Sequence, residues 1–247
     1  MIRGPEESVD WREQGSSADR DAASLEIPNP PAQSPAQHLT ATAFAQLISG
    51  FESDSFALER EPRSSRNTSD RSLSPTEFGT LVHRLCELRE SPSQWPTLIT
   101  RLCSDPQMIS EDEIRRITEH TTRGIDALRA IERDLTVEAT HDELSVTLRL
   151  DSGRVVGDID HLTVTPNAFY VTDYKTNDLS SQSIEDLADH YWPQLRSYAC
   201  ALYQHDPSRE VVLTLVFTAE GEIRQERLDA EEVVALLTQY EKVLQTL

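Results

Sequence analysis

Lysine is almost missing from this 247-residue chain. Lys and Arg together number 23, but only Lys175 and Lys242 are lysine, and 43 acidic residues set the formal net charge at −20. Acidity of this strength normally opposes binding to nucleic acid, because both molecules carry negative charge. An acidic, lysine-poor surface is also typical of halophilic cytoplasmic proteins, where a Debye length of about 3 Å at molar salt shortens the reach of surface charge. The alternative is that the acidity serves only solubility.

Cysteine and long apolar runs are scarce as well. The three cysteines, Cys86, Cys103 and Cys200, form no Cys-x-x-Cys pair, so structural disulfides are not expected and the compartment should be reducing. No stretch approaches the roughly 20 apolar residues of a membrane span, and the N-terminal residues lack the apolar core of a signal peptide. We therefore expect a cytoplasmic protein with no membrane partner.

Glycine is also rare, with 8 residues in the whole chain. None of them belongs to a phosphate-binding loop of the form Gly-x-x-x-x-Gly-Lys-Ser/Thr, the pattern with which many ATPase motors hold their nucleotide. The sequence therefore carries no ATPase motor of that class.

Composition divides the chain into three segments. Residues 1–37 are rich in Ser, Pro, Asp, Glu and Gln and have almost no apolar clusters, so they are predicted to form a disordered, acidic and polar tail. Residues 38–73 are predicted to form a short amphipathic helix, over 38–51, followed by a loop. Residues 74–247 are long enough for a single core and are predicted to form the main domain.

Periodicity predicts the helices and strands of the main domain. A capping pattern over Ser74–Glu77 precedes the first helix. The predicted elements are, in order, helices over 79–89 and 109–134, strands over 144–150, 155–164 and 168–176, a helix over 184–204, strands over 210–218 and 223–228, and a helix over 230–247. This order predicts an α/β fold in which a mixed central sheet, a three-stranded meander plus further strands, is flanked by helices.

Two acidic strings lie on the second and third strands of the meander, Gly157-Asp158-Ile159-Asp160 and Asp173-Tyr174-Lys175. Because side chains alternate along a strand, Asp173 and Lys175 share a face. Asp158 and Asp160 also share a face, so spacing alone leaves open which of them joins Asp173. Two carboxylates and an ammonium are what phosphodiester hydrolysis needs: oxygen ligands for a hard divalent cation and a positive group beside the attacking water. The alternative is a meander with charges on its wet face.

Two helical patterns flank the meander. His83 lies just off the apolar stripe of the helix that precedes it, and it becomes a candidate metal ligand only if the fold brings it to the acidic strings. In the helix that follows, Gln194 and Tyr198 lie one turn apart on one face, and Pro193 predicts a restart or a kink. The alternative for this second pattern is an amphipathic helix whose tyrosine packs in the core.

The ordered motifs resemble those of the PD-(D/E)xK nuclease superfamily, and within it the RecB-like domain at the C-terminus of the RecB and AddA helicase–nucleases. The motifs are Gly79-x-x-x-His83, Gly157-x-Ile159-Asp160, Asp173-Tyr174-Lys175-Thr176 and Gln194-x-x-x-Tyr198, and the resemblance covers residues 74–218. It implies a restriction-endonuclease-like core and a metal-dependent DNA nuclease. The expected role is that of an exonuclease module that works with a DNA helicase in recombination or repair.

The resemblance also implies a ligand set. His83, Asp160 and Asp173 would bind the catalytic metal, and the carbonyl oxygen of Tyr174 would add a further ligand. Carboxylates suit Mg²⁺ or Mn²⁺, and a histidine ligand tilts the site toward Mn²⁺. Among these residues, Asp160 and Asp173, together with Lys175, would form the catalytic set.

The resemblance also implies roles for residues that do not bind the metal. Lys175 would orient or activate the water, Gln194 and Tyr198 would support the site and contact substrate, and Glu138 would be the glutamate of the first strand. Relatives often have a basic residue after the aspartate of Gly-x-Ile-Asp, whereas this chain has His161.

The resemblance also raises the questions of an iron–sulfur cluster and of a function without catalysis. Some relatives hold an iron–sulfur cluster with four cysteines, which three cysteines cannot supply, so no cluster is expected. The expected partners are DNA and a helicase chain or domain. The alternative function is a catalytically inactive DNA-binding or scaffold module of a helicase–nuclease complex, because a fold can outlast its activity.

Overall fold

A computed structural model of the protein describes residues 37–49, 73–103, 105, 109–179 and 183–246. The predicted tail over 1–37 and the predicted loop over 52–73 lie outside the described residues, apart from Gln37 and Leu73.

The described residues form one mixed six-stranded sheet with helices packed on it, which confirms the predicted α/β fold. The strands are β1 (Gln37–Thr40), β2 (Ala139–Leu150), β3 (Gly153–Val164), β4 (Ala168–Lys175), β5 (Glu210–Phe217) and β6 (Glu222–Leu228). The helices are α1 (Ala41–Ser49), α2 (Pro75–Leu88), α3 (Trp95–Leu102), α4 (Glu111–Glu132), α5 (Ile184–His205) and α6 (Ala230–Gln245). The pairs β2–β3, β3–β4 and β5–β6 are antiparallel, whereas β1–β3 and β4–β5 are parallel.

The predicted meander forms as β2, β3 and β4, although β2 starts at Ala139, earlier than predicted. The predicted cap of α2 is confirmed, since the Ser74 hydroxyl accepts the Glu77 N–H and the Glu77 carboxylate accepts the Ser74 N–H. The helix α5 continues through Pro193. A proline inside a helix removes one backbone hydrogen bond, and the surrounding packing of α5 tolerates that loss.

Two elements differ from the sequence-based expectation. Residues 37–40 form β1 rather than the start of a helix, because the first half of β3 offers them an edge to pair with, and Thr40 then accepts the Ala43 N–H at the start of α1. The helix α3 was not predicted. Its proline at position 96 resembles a loop signal in the sequence, but proline is tolerated in the first turn of a helix.

One edge of β3 is shared between two strands. Residues 153–156 pair with β1 and residues 161–164 pair with β4, while β2 occupies the whole opposite edge. The register shows β4 leaving β3 after Thr172, so that residues 173–175 continue along β5 alone. The sheet therefore opens between Asp160 and Asp173.

The core has a cluster on each face of the sheet. One cluster joins the sheet to α1, α5 and α6, with Phe44, Leu195 and Tyr240 among its buried members. The other joins it to α2, α3 and α4 and contains Leu85 and Ile117. None of the described helices is long and apolar enough to cross a membrane.

Candidate metal centre

The opening between β3 and β4 is bridged by a side chain. The Asp160 Oδ2 atom accepts the backbone N–H of Tyr174 at 2.8 Å, at the position where the ladder between the two strands has stopped. Asp160 is thereby fixed beside the strand that carries Asp173 and Lys175. Asp158 is exposed and accepts a hydrogen bond from the Ser145 hydroxyl at 2.5 Å. The structure thus brings Asp160, rather than Asp158, to the opening.

His83 reaches the same place from α2. Its Nδ1 atom lies 3.3 Å from Asp160 Oδ2, and its ring meets the Tyr174 ring edge-on with centroids 6.0 Å apart. Gly79, one turn earlier, lets α2 approach the end of β4, since a Cβ atom at this position would lie 3.2 Å from Thr176 Oγ1. The spacing Gly79-x-x-x-His83 therefore has a physical reason. Gly79 and His83 lie one turn apart on the same face of α2, so the face that approaches β4 most closely also carries the imidazole.

Glu143, which the sequence reasoning missed, completes this group. Ligand atoms of His83, Glu143 and Asp160 all lie within 4.8 Å of one another. In the β2–β3 register, the neighbouring pairs Asp142–His161 and Leu144–Ile159 put Glu143 opposite Asp160, and Glu143 itself has a φ of 49°. A β-hairpin that turns at residues 151 and 152 has this register, so the sequence contains the signal that pairs Glu143 with Asp160.

Glu138, which the resemblance suggested as the first-strand glutamate, lies elsewhere. Its carboxylate is 3.1 Å from Arg209 Nη2, and its N–H binds the Val164 carbonyl at the far end of the β2–β3 pair. Four residues of strand separate that end from Asp160, which is about 13 Å at the usual rise per residue. Glu143 is the acidic residue of β2 that faces the opening.

Lys175 and Asp173 form the other half of the site. Their side chains share a face of β4, as alternation predicted, and Lys175 Nζ lies 2.7 Å from Asp173 Oδ2. The Lys175 side chain is 14% exposed and the Asp173 side chain 4%, so the pair is almost fully withdrawn from solvent. Burying a charge pair of this kind has a large desolvation cost, which can exceed the attraction between the two charges. A contribution to folding stability therefore does not by itself explain the pair.

A profile of the PD-(D/E)XK nuclease superfamily matches residues 54–247, most of the chain and all four motif regions. The chain belongs to this superfamily. No curated protein sequence matches it.

Three solved structures that this PD-(D/E)XK protein is similar to are distant from it. An exonuclease candidate from Eubacterium rectale is 14% identical with a TM-score of 0.39, over 68% of this chain and 66% of its own. The protein SSO0001 is 13% identical with a TM-score of 0.29, over 69% of this chain and 85% of its own. Protein VC1899 from Vibrio cholerae is 14% identical with a TM-score of 0.24, over 70% of this chain and 58% of its own. The chain thus spans just under two thirds of the first of these proteins, and likenesses this weak decide neither substrate nor mechanism.

The electrostatics of the PD-(D/E)XK site separate its two aspartates. Burial raises the pKa of Asp160, but the attraction of His83 and then of Lys175 outweighs it, so the pKa is lowered overall. For Asp173, burial dominates and raises the pKa, assisted by the negative charge of Asp160 and opposed by Lys175. Two carboxylates in one buried site repel each other, and a bound cation would relieve that repulsion.

The cationic members of the site respond to the same charges. Burial lowers the pKa of His83, but Asp160 raises it by more, and the pKa ends above its ordinary value. Burial likewise lowers the pKa of Lys175, while Asp173 raises it by more, so the net shift is upward. Lys175 is therefore an ammonium at neutral pH. A group held in that state acts as a fixed positive charge and a hydrogen-bond donor rather than as a general base.

Gln194 and Tyr198 stand behind the site on α5. The Gln194 amide donates to the Tyr198 hydroxyl at 2.8 Å. Burial and then the charge of Asp173 raise the pKa of Tyr198, which places this tyrosine near the carboxylate. A Cβ atom on Gly157 would lie 2.7 Å from Tyr198 Cε1 and 2.8 Å from the Ala41 Cβ, so Gly157 is where α5 and α1 press against β3.

His161 is fully buried. Its Nδ1 atom lies 2.7 Å from Asp142 Oδ1 and its Nε2 atom 3.1 Å from Glu132 Oε1. Arg89, at the end of α2, contacts both Asp142 and His161 at 2.7 Å. The residue after Asp160 thus anchors β2 beside Glu143 and lies inside the protein, where a phosphate does not reach it.

The donor set fits a hard divalent cation. One imidazole and two carboxylates, from His83, Glu143 and Asp160, place ligand atoms within 4.8 Å of one another. Asp173 lies close enough for its negative charge to raise the pKa of His83. Oxygen-rich sites of this kind suit Mg²⁺ or Mn²⁺. The three cysteines of the chain are buried and free, and none belongs to this group.

Proposed function

We propose that the protein is a metal-dependent DNA nuclease that hydrolyses phosphodiester bonds. The observation that carries this proposal is the convergence of His83 from α2, Asp160 from β3, and Asp173 and Lys175 from β4 on one opening of the sheet. Membership of the PD-(D/E)XK nuclease superfamily supports the same reaction class. We assign the nuclease domain to residues 74–247.

The residues that would hold the cation are His83, Asp160 and Asp173, with Glu143 as an added carboxylate and the Tyr174 carbonyl as a further oxygen. The metal would be Mg²⁺ or Mn²⁺. When bound, such an ion lowers the pKa of its water and neutralises charge on the scissile phosphate. Asp160 keeps its orientation through the Tyr174 N–H, so this ligand is already aimed before any cation arrives.

Lys175 supplies the positive charge of the reaction. Its ammonium, held 2.7 Å from Asp173, can donate a hydrogen bond to the attacking water and to the phosphate oxygen on which charge develops. Removing one preorganised group of this type typically costs about a hundred- to a thousandfold in rate. Gln194 and Tyr198 support the carboxylate side of the site and would contact the substrate.

The acidity of the chain sets the conditions under which DNA would bind. At −20, the protein as a whole repels DNA at low salt. At about molar salt the Debye length falls to about 3 Å, so the surface field no longer opposes a strand held by the metal and by local arginines. We propose a halophilic, cytoplasmic exonuclease that works as a RecB/AddA-like module beside a DNA helicase in recombination or repair. The helicase motor would be another chain or domain.

The test is a degradation assay on the purified protein. Single- and double-stranded DNA labelled at the 5′ or the 3′ end is incubated with Mg²⁺ or Mn²⁺, from low salt to molar KCl, with EDTA as the control. The proposal predicts cleavage that needs the metal and persists at molar salt, and the two labels report the direction. If no DNA is cut under any metal or salt condition while DNA still binds, the protein is a catalytically inactive DNA-binding or scaffold module instead.

A further inference from the structure

The ammonium of Lys175 contacts an aromatic ring as well as a carboxylate. Its Nζ atom lies 4.1 Å from the centroid of the Tyr191 ring, on α5, and 2.7 Å from Asp173 Oδ2. A cation this close to the face of a tyrosine is attracted by the negative charge of the ring face, more so when water is excluded. The contact therefore stabilises the ammonium inside a site where solvent cannot.

Tyr191 is itself fixed on two sides. Its hydroxyl donates to Asn177 Oδ1 at 3.0 Å, in the chain just beyond β4, and its ring meets the His190 ring edge-on at 5.0 Å. Along α5, Tyr191, Gln194 and Tyr198 follow the i, i+3, i+7 spacing of one helix face. The ring thus belongs to the face of α5 that lines the site, and Asn177 ties it to the strand that carries Lys175.

We propose that Tyr191 is a positioning residue for Lys175, and that its ring determines where the ammonium points during phosphodiester hydrolysis; this inference rests on the proposed nuclease function. Lysine has a flexible four-carbon stem, so Asp173 alone fixes the distance of its charge but not the direction. The face of the Tyr191 ring limits the directions that the Lys175 ammonium can take while it stays bound to Asp173. Without it, the ammonium turns away from the point where the water and the phosphate meet.

Three substitutions distinguish the contribution of the Tyr191 ring from that of its hydroxyl group. Tyr191→Phe and Tyr191→Trp keep an aromatic face, whereas Tyr191→Leu keeps only apolar bulk. Small misplacements of a catalytic group can cost about a hundredfold, so Tyr191→Leu is expected to lower kcat by about 10- to 100-fold. The KM for DNA and the affinity for Mn²⁺ should stay at the wild-type value, because no ligand is changed. Tyr191→Phe should keep kcat within about threefold, since it keeps the ring face and loses the hydrogen bond from the hydroxyl to Asn177.

The chain offers a readout of the contact that does not need activity. Lysine-selective isotope labelling gives two ε-methylene carbon signals, one each from Lys175 and Lys242, and Lys175→Arg and Lys242→Arg identify them. Ring current should shift the Lys175 ε-methylene signal upfield of the Lys242 signal in the wild type and in Tyr191→Phe. In Tyr191→Leu the shift should disappear.

Each outcome decides between the two proposals. A Lys175 signal that is unshifted in the wild type, or unmoved in Tyr191→Leu, shows that the ring contact is absent and overturns the positioning role. A signal that moves while kcat stays unchanged also overturns it. If the signal moves as expected but the wild type cuts no DNA in any metal, the contact is real and the nuclease function is what has failed, and the positioning role for that reaction falls with it.

Discussion

Asp160 accepts the backbone N–H of Tyr174 at 2.8 Å, at the point where β3 and β4 separate. This bond links the two acidic strings of the sequence through a side chain rather than through the sheet ladder. It also turns the Asp160 carboxylate toward His83, 3.3 Å away. The separation of β3 and β4 therefore frees the Tyr174 N–H to bind Asp160, and this bond in turn orients the Asp160 carboxylate.

The first prediction concerns Glu143, whose carboxylate joins those of the opening although its backbone has a φ of 49°. Glu143→Gln should weaken Mn²⁺ binding, measured by titration calorimetry, by about 10- to 100-fold, since even supporting residues of metal sites have effects of that size. Glu138→Gln removes an acid that lies just before β2 and pairs with Arg209, and it is the matched control. Equal affinities for the two variants would exclude Glu143 from the site.

The second prediction concerns Gly157, which leaves room for Tyr198 and Ala41. A methyl group here would lie 2.7 Å from a rigid ring, and overpacking of this kind costs about 1–3 kcal/mol in the free energy of unfolding. Gly157→Ala should therefore lower the urea midpoint markedly. Gly79→Ala meets only the Thr176 hydroxyl at 3.2 Å, which can rotate away, so its loss should be smaller. The reverse order would show that α5 does not press on β3 at this glycine.

The third prediction concerns pH and His120, which is 8% exposed and lies 2.9 Å from Thr218 Oγ1. Burial, followed by the charges of Arg123 and Arg116, lowers the pKa of His120 to about 4. In the unfolded chain His120 has the ordinary histidine pKa of about 6.5. Between pH 6.5 and pH 4 the unfolded chain therefore binds a proton on this histidine, whereas the folded chain does not. Stability should thus fall as the pH drops from 6.5 toward 4.

His120→Gln should remove this part of the pH dependence. Between pH 7 and pH 5 the variant should lose about 1–2 kcal/mol less unfolding free energy than the wild type, by urea titration at each pH. His205→Gln, which also removes a histidine but at an exposed position of α5, is the matched control. A His120→Gln slope equal to that of the wild type would mean that the folded protein accepts the proton on this histidine.

Local pattern sufficed for much of the fold, because alternation and helical spacing are properties of neighbouring residues. The meander, α5 and the common face of Asp173 and Lys175 follow from it. The strand β1 does not, since residues 37–40 become a strand only because β3 has a free edge for them. Glu143 required one further step, the register across a turn, and without that step Glu138 was the more prominent acid. The contact of Tyr191 with Lys175 joins separate elements and needs the packed fold.

The most direct measurement compares two lysine variants. Lys175→Ala removes the ammonium held by Asp173, and Lys242→Ala removes the only other lysine of the chain, on α6. Both proteins are assayed for Mn²⁺-dependent DNA degradation at molar KCl, with melting temperatures as a check of folding. We expect Lys175→Ala to lose activity by about a hundredfold or more, while Lys242→Ala cuts DNA at the wild-type rate. A folded Lys175→Ala protein that degrades DNA as fast as the wild type would show that the Lys175 ammonium takes no part in cleavage.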